Sequence, residues 1–190
     1  NVTAAATGPG SAFVNFRAAA PNGGTISGYT IIDSVSGKPY NTTNPGMEVT
    51  GLQNGVEHSF TVIAHNEAGD SDPSAPSAPE HVDAVPDQMA APTVQGTDGG
   101  LVVSWTDATT RGSAVHTYTV FVTPLAGGQP IPHSVAGTEN TTTIRGLQNG
   151  AIYLVSIQAK NDAKSPSPVS NPTQGSPHGP PSIPGNVSAS

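Results

Sequence analysis

The sequence predicts an all-β chain made of two tandem seven-stranded Greek-key β-sandwiches, and three observations carry that expectation. The pentapeptide Gly-Leu-Gln-Asn-Gly occurs at Gly51–Gly55 and again at Gly146–Gly150. Each copy leads into apolar residues in strict alternation: Phe60, Val62 and Ala64 after the first, Tyr153, Val155, Ile157 and Ala159 after the second. No window of the chain repeats apolar positions at helical spacing, so the pattern is that of half-buried strands. A period of 95 residues is domain-sized, far longer than the repeat of a solenoid.

The elements follow in order. In the first repeat the alternation predicts strands at Val2–Ala6, Ala12–Arg17, Gly28–Asp33, a short piece near Lys38–Asn41, then Met47–Thr50, His58–Asn66 and Ala78–Val85. In the second it predicts Thr93–Gly96, Leu101–Thr106, Thr117–Thr123, Ile131–Val135, Thr142–Arg145, Ile152–Asn161 and Val169–Gln174. Turn residues punctuate them, as in Pro21-Asn22-Gly23-Gly24, Asn44-Pro45-Gly46, Asp98-Gly99-Gly100 and Gly127-Gly128. There glycine supplies positive φ and proline a fixed φ. Seven short strands in about 92 residues indicate a Greek-key sandwich.

These elements divide the chain into a first domain at 1–85, a linker at 86–92 and a second domain at 93–176. Residues 177–190 are expected to hold a further linker and the start of a third repeat. Pro86 and Pro92 bracket the first linker and remove backbone donors, so it reads as a semi-stiff connector. Pro184–Ser190 resembles the opening Asn1–Ala5, with Val2, Val94 and Val187 spaced 92 and 93 residues apart, as expected of a piece of a longer array.

Composition excludes several classes of function. Six Lys and Arg against 13 Asp and Glu give a net charge of −7, which disfavours nucleic acid and anionic membrane surfaces. No apolar run approaches the length of a bilayer-spanning helix. There is no cysteine, which fits exported proteins of Gram-positive bacteria, and the Ala-, Gly-, Pro- and Thr-rich, Lys-poor composition suggests a GC-rich genome. Asn-x-Ser/Thr sequons at Asn1, Asn41, Asn140 and Asn186 match the chance yield of a Thr-rich chain.

The second repeat resembles a fibronectin type III domain over nearly its whole length. Trp105 stands where the family has its B-strand tryptophan, and Tyr118, Val120 and Val122 match inward positions of strand C. Leu147 and Tyr153 have the spacing of the tyrosine corner, whose hydroxyl bonds back to the chain. Ala159 and Asn161 match the end of strand F. The first repeat keeps the frame with Phe16, Tyr29, Ile31, Leu52, Ala64, Asn66 and Gly69, but His58 replaces the corner tyrosine and Lys164 replaces the second repeat's F–G glycine. On this resemblance the core of the second repeat should contain Trp105, Tyr118, Val120, Leu147, Val155 and Ile157. His58→Tyr should be neutral or stabilising.

No catalytic, cofactor-binding or metal-binding residue is expected. Histidines 58, 65, 81, 116, 133 and 178 are scattered singly, no nucleophile–base pair is recognisable, and no phosphate-binding loop is present. Glu67, Asp70, Asp72, Glu80, Asp83 and Asp87 form an acidic stretch that reads as a solvated face, with calcium as the sharper alternative. Arg111, Lys160 and Lys164 are three of the chain's six cations, and all fall in or beside the B–C and F–G loops of the second repeat. Such loops share one end of a sandwich, so these three are the candidate partner-binding residues. The expected function is a non-enzymatic extracellular protein-binding or adhesion module of a bacterial surface protein, monomeric as a fragment, with a host or cell-surface protein as ligand. One alternative is a structural spacer in a secreted polysaccharide-degrading enzyme; another, more remote, is cytokine-receptor-like binding, for which Ser165–Ser170 has the serines but no tryptophan.

Overall fold

The computed structural model describes residues 1–183 and 185, so the expected third-repeat strand near Val187 lies outside the described residues. Two compact units result: the first comprises Asn1–Val85 with Thr110–Ala114 and Asp162–Ser165, the second Pro86–Thr109, Val115–Asn161 and Pro166–Ser190. No helix occurs among the described residues.

The first unit contains β1 (Val2–Gly8), β2 (Ser11–Phe16), β3 (Gly28–Asp33), β4 (Pro39–Thr42), β5 (Gly46–Thr50), β6 (Val56–His58), β7 (Phe60–Asn66), β8 (Gly69–Asp70) and β9 (Glu80–Val82). One sheet runs β1-β2-β5 and the other β4-β3-β7-β8, with β6 paired to β9. The second unit contains β10 (Thr93–Thr97), β11 (Gly100–Ser104), β12 (Thr117–Pro124), β13 (Ile131–Ala136), β14 (Thr141–Arg145), β15 (Tyr153–Lys160) and β16 (Thr173–Gly175). Its sheets run β10-β11-β14 and β13-β12-β15-β16. All pairings are antiparallel, and β3 lies beside β7 just as β12 lies beside β15. These crossovers between distant strands make each unit a Greek-key sandwich.

The alternation seen in the sequence is the core. Tyr118, Val120 and Val122 face Val155, Ile157 and Ala159 across the β12–β15 pairing, and all six are buried. Phe16 meets Tyr29 edge-on at 4.9 Å, and Trp105 meets Tyr118 at 5.4 Å, a favourable aromatic geometry. Leu147 departs from expectation: it is only partly buried and packs against the core rather than within it. The expected strand His58–Asn66 is interrupted at Ser59, whose amide and carbonyl bond Ser34 instead of continuing the ladder.

The last strands differ most from the sequence reading. Neither unit closes with a continuous strand at Ala78–Val85 or Val169–Gln174. Instead serines at every third position bond β7 or β15. Ser71, Ser74 and Ser77 donate their amides to the carbonyls of Ala64, Val62 and Phe60. Their hydroxyls accept the amides of the same three residues at 2.9–3.1 Å. Ser167 and Ser170 do the same with Ala159 and Ile157. Each hydroxyl in turn donates to the next residue's carbonyl, so the serine hydroxyls both accept and donate. The chain thus advances three residues for every two of its neighbour, with proline at Pro73 and Pro76 where no amide is needed.

Candidate interaction surfaces

The two corners are solved by different chemistry. In the second unit the Tyr153 hydroxyl accepts the Gln148 amide at 3.1 Å, the bond expected of a tyrosine corner. In the first unit His58 is fully buried, with Nδ1 2.6 Å from Asp33 Oδ1 and Nε2 2.9 Å from the Gln53 carbonyl. A carboxylate faces one ring nitrogen and a carbonyl the other, so each ring nitrogen meets an acceptor. Burial would raise the Asp33 carboxyl, but hydrogen bonds from Ser36 and His58 outweigh it and hold the group below the ordinary carboxylate value. The Ser36 hydroxyl donates at 2.6 Å and its amide at 3.0 Å. His58 is therefore the hydrogen-bond partner of a buried carboxylate, not a weak substitute for tyrosine. This corrects the expectation for His58→Tyr, which would strand the Asp33 charge. The signal was present in the sequence: Asp33 follows Tyr29 and Ile31 in the inward phase of β3, where the second unit has Val122.

A second polar set lies on the outer face of β3, β7 and β8. Asp70 Oδ1 is 2.6 Å from His65 Nδ1, and His65 Nε2 is 2.8 Å from the Thr30 hydroxyl. Scattered singly in the sequence, these residues are brought together by the pairing of Gly28 with His65 and of His65 with Asp70. The order carboxylate–imidazole–hydroxyl can activate a nucleophile where preorganised donors and excluded water support it. Here Asp70 is 70% exposed on an open sheet face, and the Thr30 hydroxyl also contacts Asn41 at 2.8 Å. The set acts as a cross-strand hydrogen-bond chain.

The acidic stretch does not converge. Asp70 is committed to His65, while Glu80 accepts the Ala6 amide at 2.7 Å. Asp83 accepts the amides of Ala84 and Ser113 and the Ser113 hydroxyl. Burial opposes ionisation of Asp83, but these bonds hold its carboxyl below the usual value. Of the six acids only Asp83 belongs to a group of potential metal ligands among the described residues, with His81 and Asp162, and its carboxylate is already engaged by Ser113.

The candidate cations occupy loop or strand-end positions. Arg111 lies exposed in the loop after β11, Lys160 ends β15 half-buried, and Lys164 follows in the next loop with its side chain 75% exposed. Lys160 belongs to the second unit, whereas the segments holding Arg111 and Lys164 group with the first. Within that unit the Lys164 ammonium donates to the Ala6 carbonyl at 3.2 Å and lies 3.8 Å from Glu80.

Near the aromatic pair of the first unit is a cleft of about 150 Å³, bordered by Val2, Phe16, Tyr29, Val62 and Ala64. Among the described residues no helix is long and apolar enough to cross a membrane.

The family model of the fibronectin type III domain matches residues 1–80 and 85–176. The chain is 27% identical over 160 residues to the cell adhesion molecule DSCAML1 of mouse and, equally, of human. That match covers 74% of this chain but 7% of the relative, so the chain corresponds to a small part of those proteins. The crystal structure of the chicken CNTN1 FN1–FN3 domains aligns with a TM-score of 0.52 at 17% identity, covering 94% of this chain and 66% of that one.

Proposed function

The chain belongs to the fibronectin type III family, whose domain it carries twice, and we propose on that premise that it is a non-enzymatic, extracellular protein-binding module of an adhesion protein. The observation that carries this reading is the similarity to a cell adhesion molecule, which runs through 160 residues. The composition, free of cysteine and poor in lysine, supports a bacterial surface protein, whereas the relatives named are animal proteins; adhesion is common to both.

The binding residues proposed are Arg111, Lys160 and Lys164. Cations on a chain of net charge −7 would steer an acidic protein partner, and charges of this kind govern association rate and salt dependence more than final affinity. A surface coated with the chain should retain cells at low ionic strength, and Arg111→Glu with Lys164→Glu should slow attachment. Attachment of equal rate for both proteins would remove these residues from the reading. Absence of any attachment would favour a spacer, for which tandem repeats joined by a proline-bracketed segment are also suited.

A further inference from the structure

The chain has three Asn-Gly pairs, Asn22-Gly23, Asn54-Gly55 and Asn149-Gly150. The last two belong to the repeated pentapeptide, and in both the fold holds the asparagine side chain and the glycine amide. In the first unit the Asn54 side-chain carbonyl accepts the Gly10 amide at 2.7 Å, and the Gly55 amide donates to the Val82 carbonyl at 2.8 Å. In the second the Asn149 side chain accepts the Gly99 amide at 2.9 Å and donates to Asp98 at 2.7 Å. There the Gly150 amide donates to the Pro177 carbonyl at 2.9 Å.

Asn22-Gly23 is built differently. It forms the centre of the turn Pro21–Gly24, closed by the Gly24 amide on the Pro21 carbonyl at 3.1 Å. Both central residues have positive φ, 47° at Asn22 and 99° at Gly23, the pattern of a type I′ turn. Asn22 is the one non-glycine residue with positive φ among the described residues, a conformation that costs energy for a residue bearing a Cβ. Both residues are exposed, in a loop that is exposed from Arg17 to Gly23. Among the described residues no hydrogen bond holds the Asn22 side chain or the Gly23 amide. Exposure alone does not set the pair apart, because Asn149 and Gly150 are exposed as well. What Asn22-Gly23 lacks is restraint.

We propose that Asn22 is a site of spontaneous modification, at which asparagine is converted to aspartate and isoaspartate with water as the co-reactant. The Gly23 nitrogen bonds the Asn22 side-chain carbonyl carbon, and the bond from that carbon to Nδ2 breaks. The departing group takes the proton that the Gly23 nitrogen gives up and leaves as ammonia. Water then opens the cyclic imide at either of its carbonyls, and the Gly23 nitrogen recovers a proton from it. Opening at the side-chain carbon gives aspartate; opening at the main-chain carbon gives isoaspartate, in which the chain runs through the former side chain. Glycine permits the closure because it has no Cβ to hinder the approach. At Asn54 and Asn149 the same closure must first break the hydrogen bonds on both partners, so it waits on local opening of the fold. Either product adds a negative charge to a neighbourhood that already holds Glu67, whose Oε1 would lie 2.9 Å from a Cβ on Gly24. Isoaspartate also lengthens the backbone inside a closed turn, and so loosens the loop between β2 and β3. This inference is independent of the adhesion reading and of the loop cations.

The test incubates the folded full chain in warm, mildly alkaline buffer. The three Asn-Gly peptides are then followed by mass spectrometry, with chromatography that separates aspartyl from isoaspartyl forms and the Asn22→Asp chain as the aspartyl standard. Conversion at Asn22 should run at least about tenfold faster than at Asn54 or Asn149, since local opening that costs only about 1.4 kcal/mol slows a site by that factor. In guanidinium, where the fold restrains none of them, the three rates should converge. Conversion at Asn22 no faster than at the other two in the folded chain, or a difference that persists unchanged in guanidinium, would each overturn the proposal.

Discussion

Replacing His58 by tyrosine, the residue that the second unit uses at the same corner, should destabilise the first unit. His58 and Asp33 are both without side-chain solvent exposure and 2.6 Å apart, so the Asp33 carboxylate has no water to fall back on. Removing one member of such a pair costs about 3–5 kcal/mol, because the other is left buried and uncompensated. Two hydrogen bonds from Ser36 remain on Asp33, which places the expectation at the lower end, about 3 kcal/mol, or roughly a hundredfold in the unfolding equilibrium. Asp33→Val together with His58→Tyr installs the residues that the second unit has at these two positions, Val122 and Tyr153, both buried there. It should recover most of the loss, since apolar replacement of a whole buried pair is often neutral or stabilising. Because the lone Trp105 reports on the second unit, the measurement is urea-dependent hydrogen exchange at Ile31 and Val62. The wild-type pair should also show an acid dependence that the double variant lacks. Asp33 has a folded value below its ordinary 3.8, so the unfolded state binds more protons in acid. The stabilisation is complete above 3.8 and is lost as pH falls through the lower folded value. A His58→Tyr single variant as stable as the wild type would refute the reasoning from the buried carboxylate.

Other outcomes follow from the same contacts. Tyr153→Phe should cost the second unit about 1 kcal/mol, the net value of its bond to the Gln148 amide, read from a Trp105 fluorescence melt. Ser170→Ala leaves the buried Ile157 amide without its acceptor and should cost about 1–3 kcal/mol in urea; Ser165→Ala, at an exposed position outside the rail, should change stability by less than about 0.5 kcal/mol. Incubation with ester and peptide substrates should give no turnover that Thr30→Ala removes, since the Thr30–His65–Asp70 chain lies open to solvent.

What could be read from the sequence was what repeats within a strand. Tyr118-x-Val120-x-Val122 names the inner face of β12 by its period of two, and Leu147 with Tyr153 marks the corner by spacing alone. What escaped depends on partners set far apart along the chain. Asp33 and His58 are 25 residues apart, and each alone has an ordinary surface explanation. Thr30, His65 and Asp70 meet only through strand register. The serine rail was visible as Ser71, Ser74 and Ser77, but a period of three belongs to neither helix nor strand and so reads as loop. Met89 sits in a proline-bracketed segment that looks like a connector, and only packing reveals that it completes a core.

The serine rail has a consequence for chains built from successive copies of one domain. Similar domains held close together are prone to exchanging strands during folding and to stacking edge on edge afterwards. An exchanged strand needs a row of amides to grip. Between Ser71 and Ser77 the serine amides are already taken by β7, Pro73 and Pro76 have none, and only Asp72 and Ala75 are left to offer one. The hydroxyl oxygens meanwhile stand in for strand carbonyls as acceptors of the β7 amides, so the sheet ends there with few amides for a neighbour to grip. A chain of this kind can place alike domains side by side and keep each one's strands to itself.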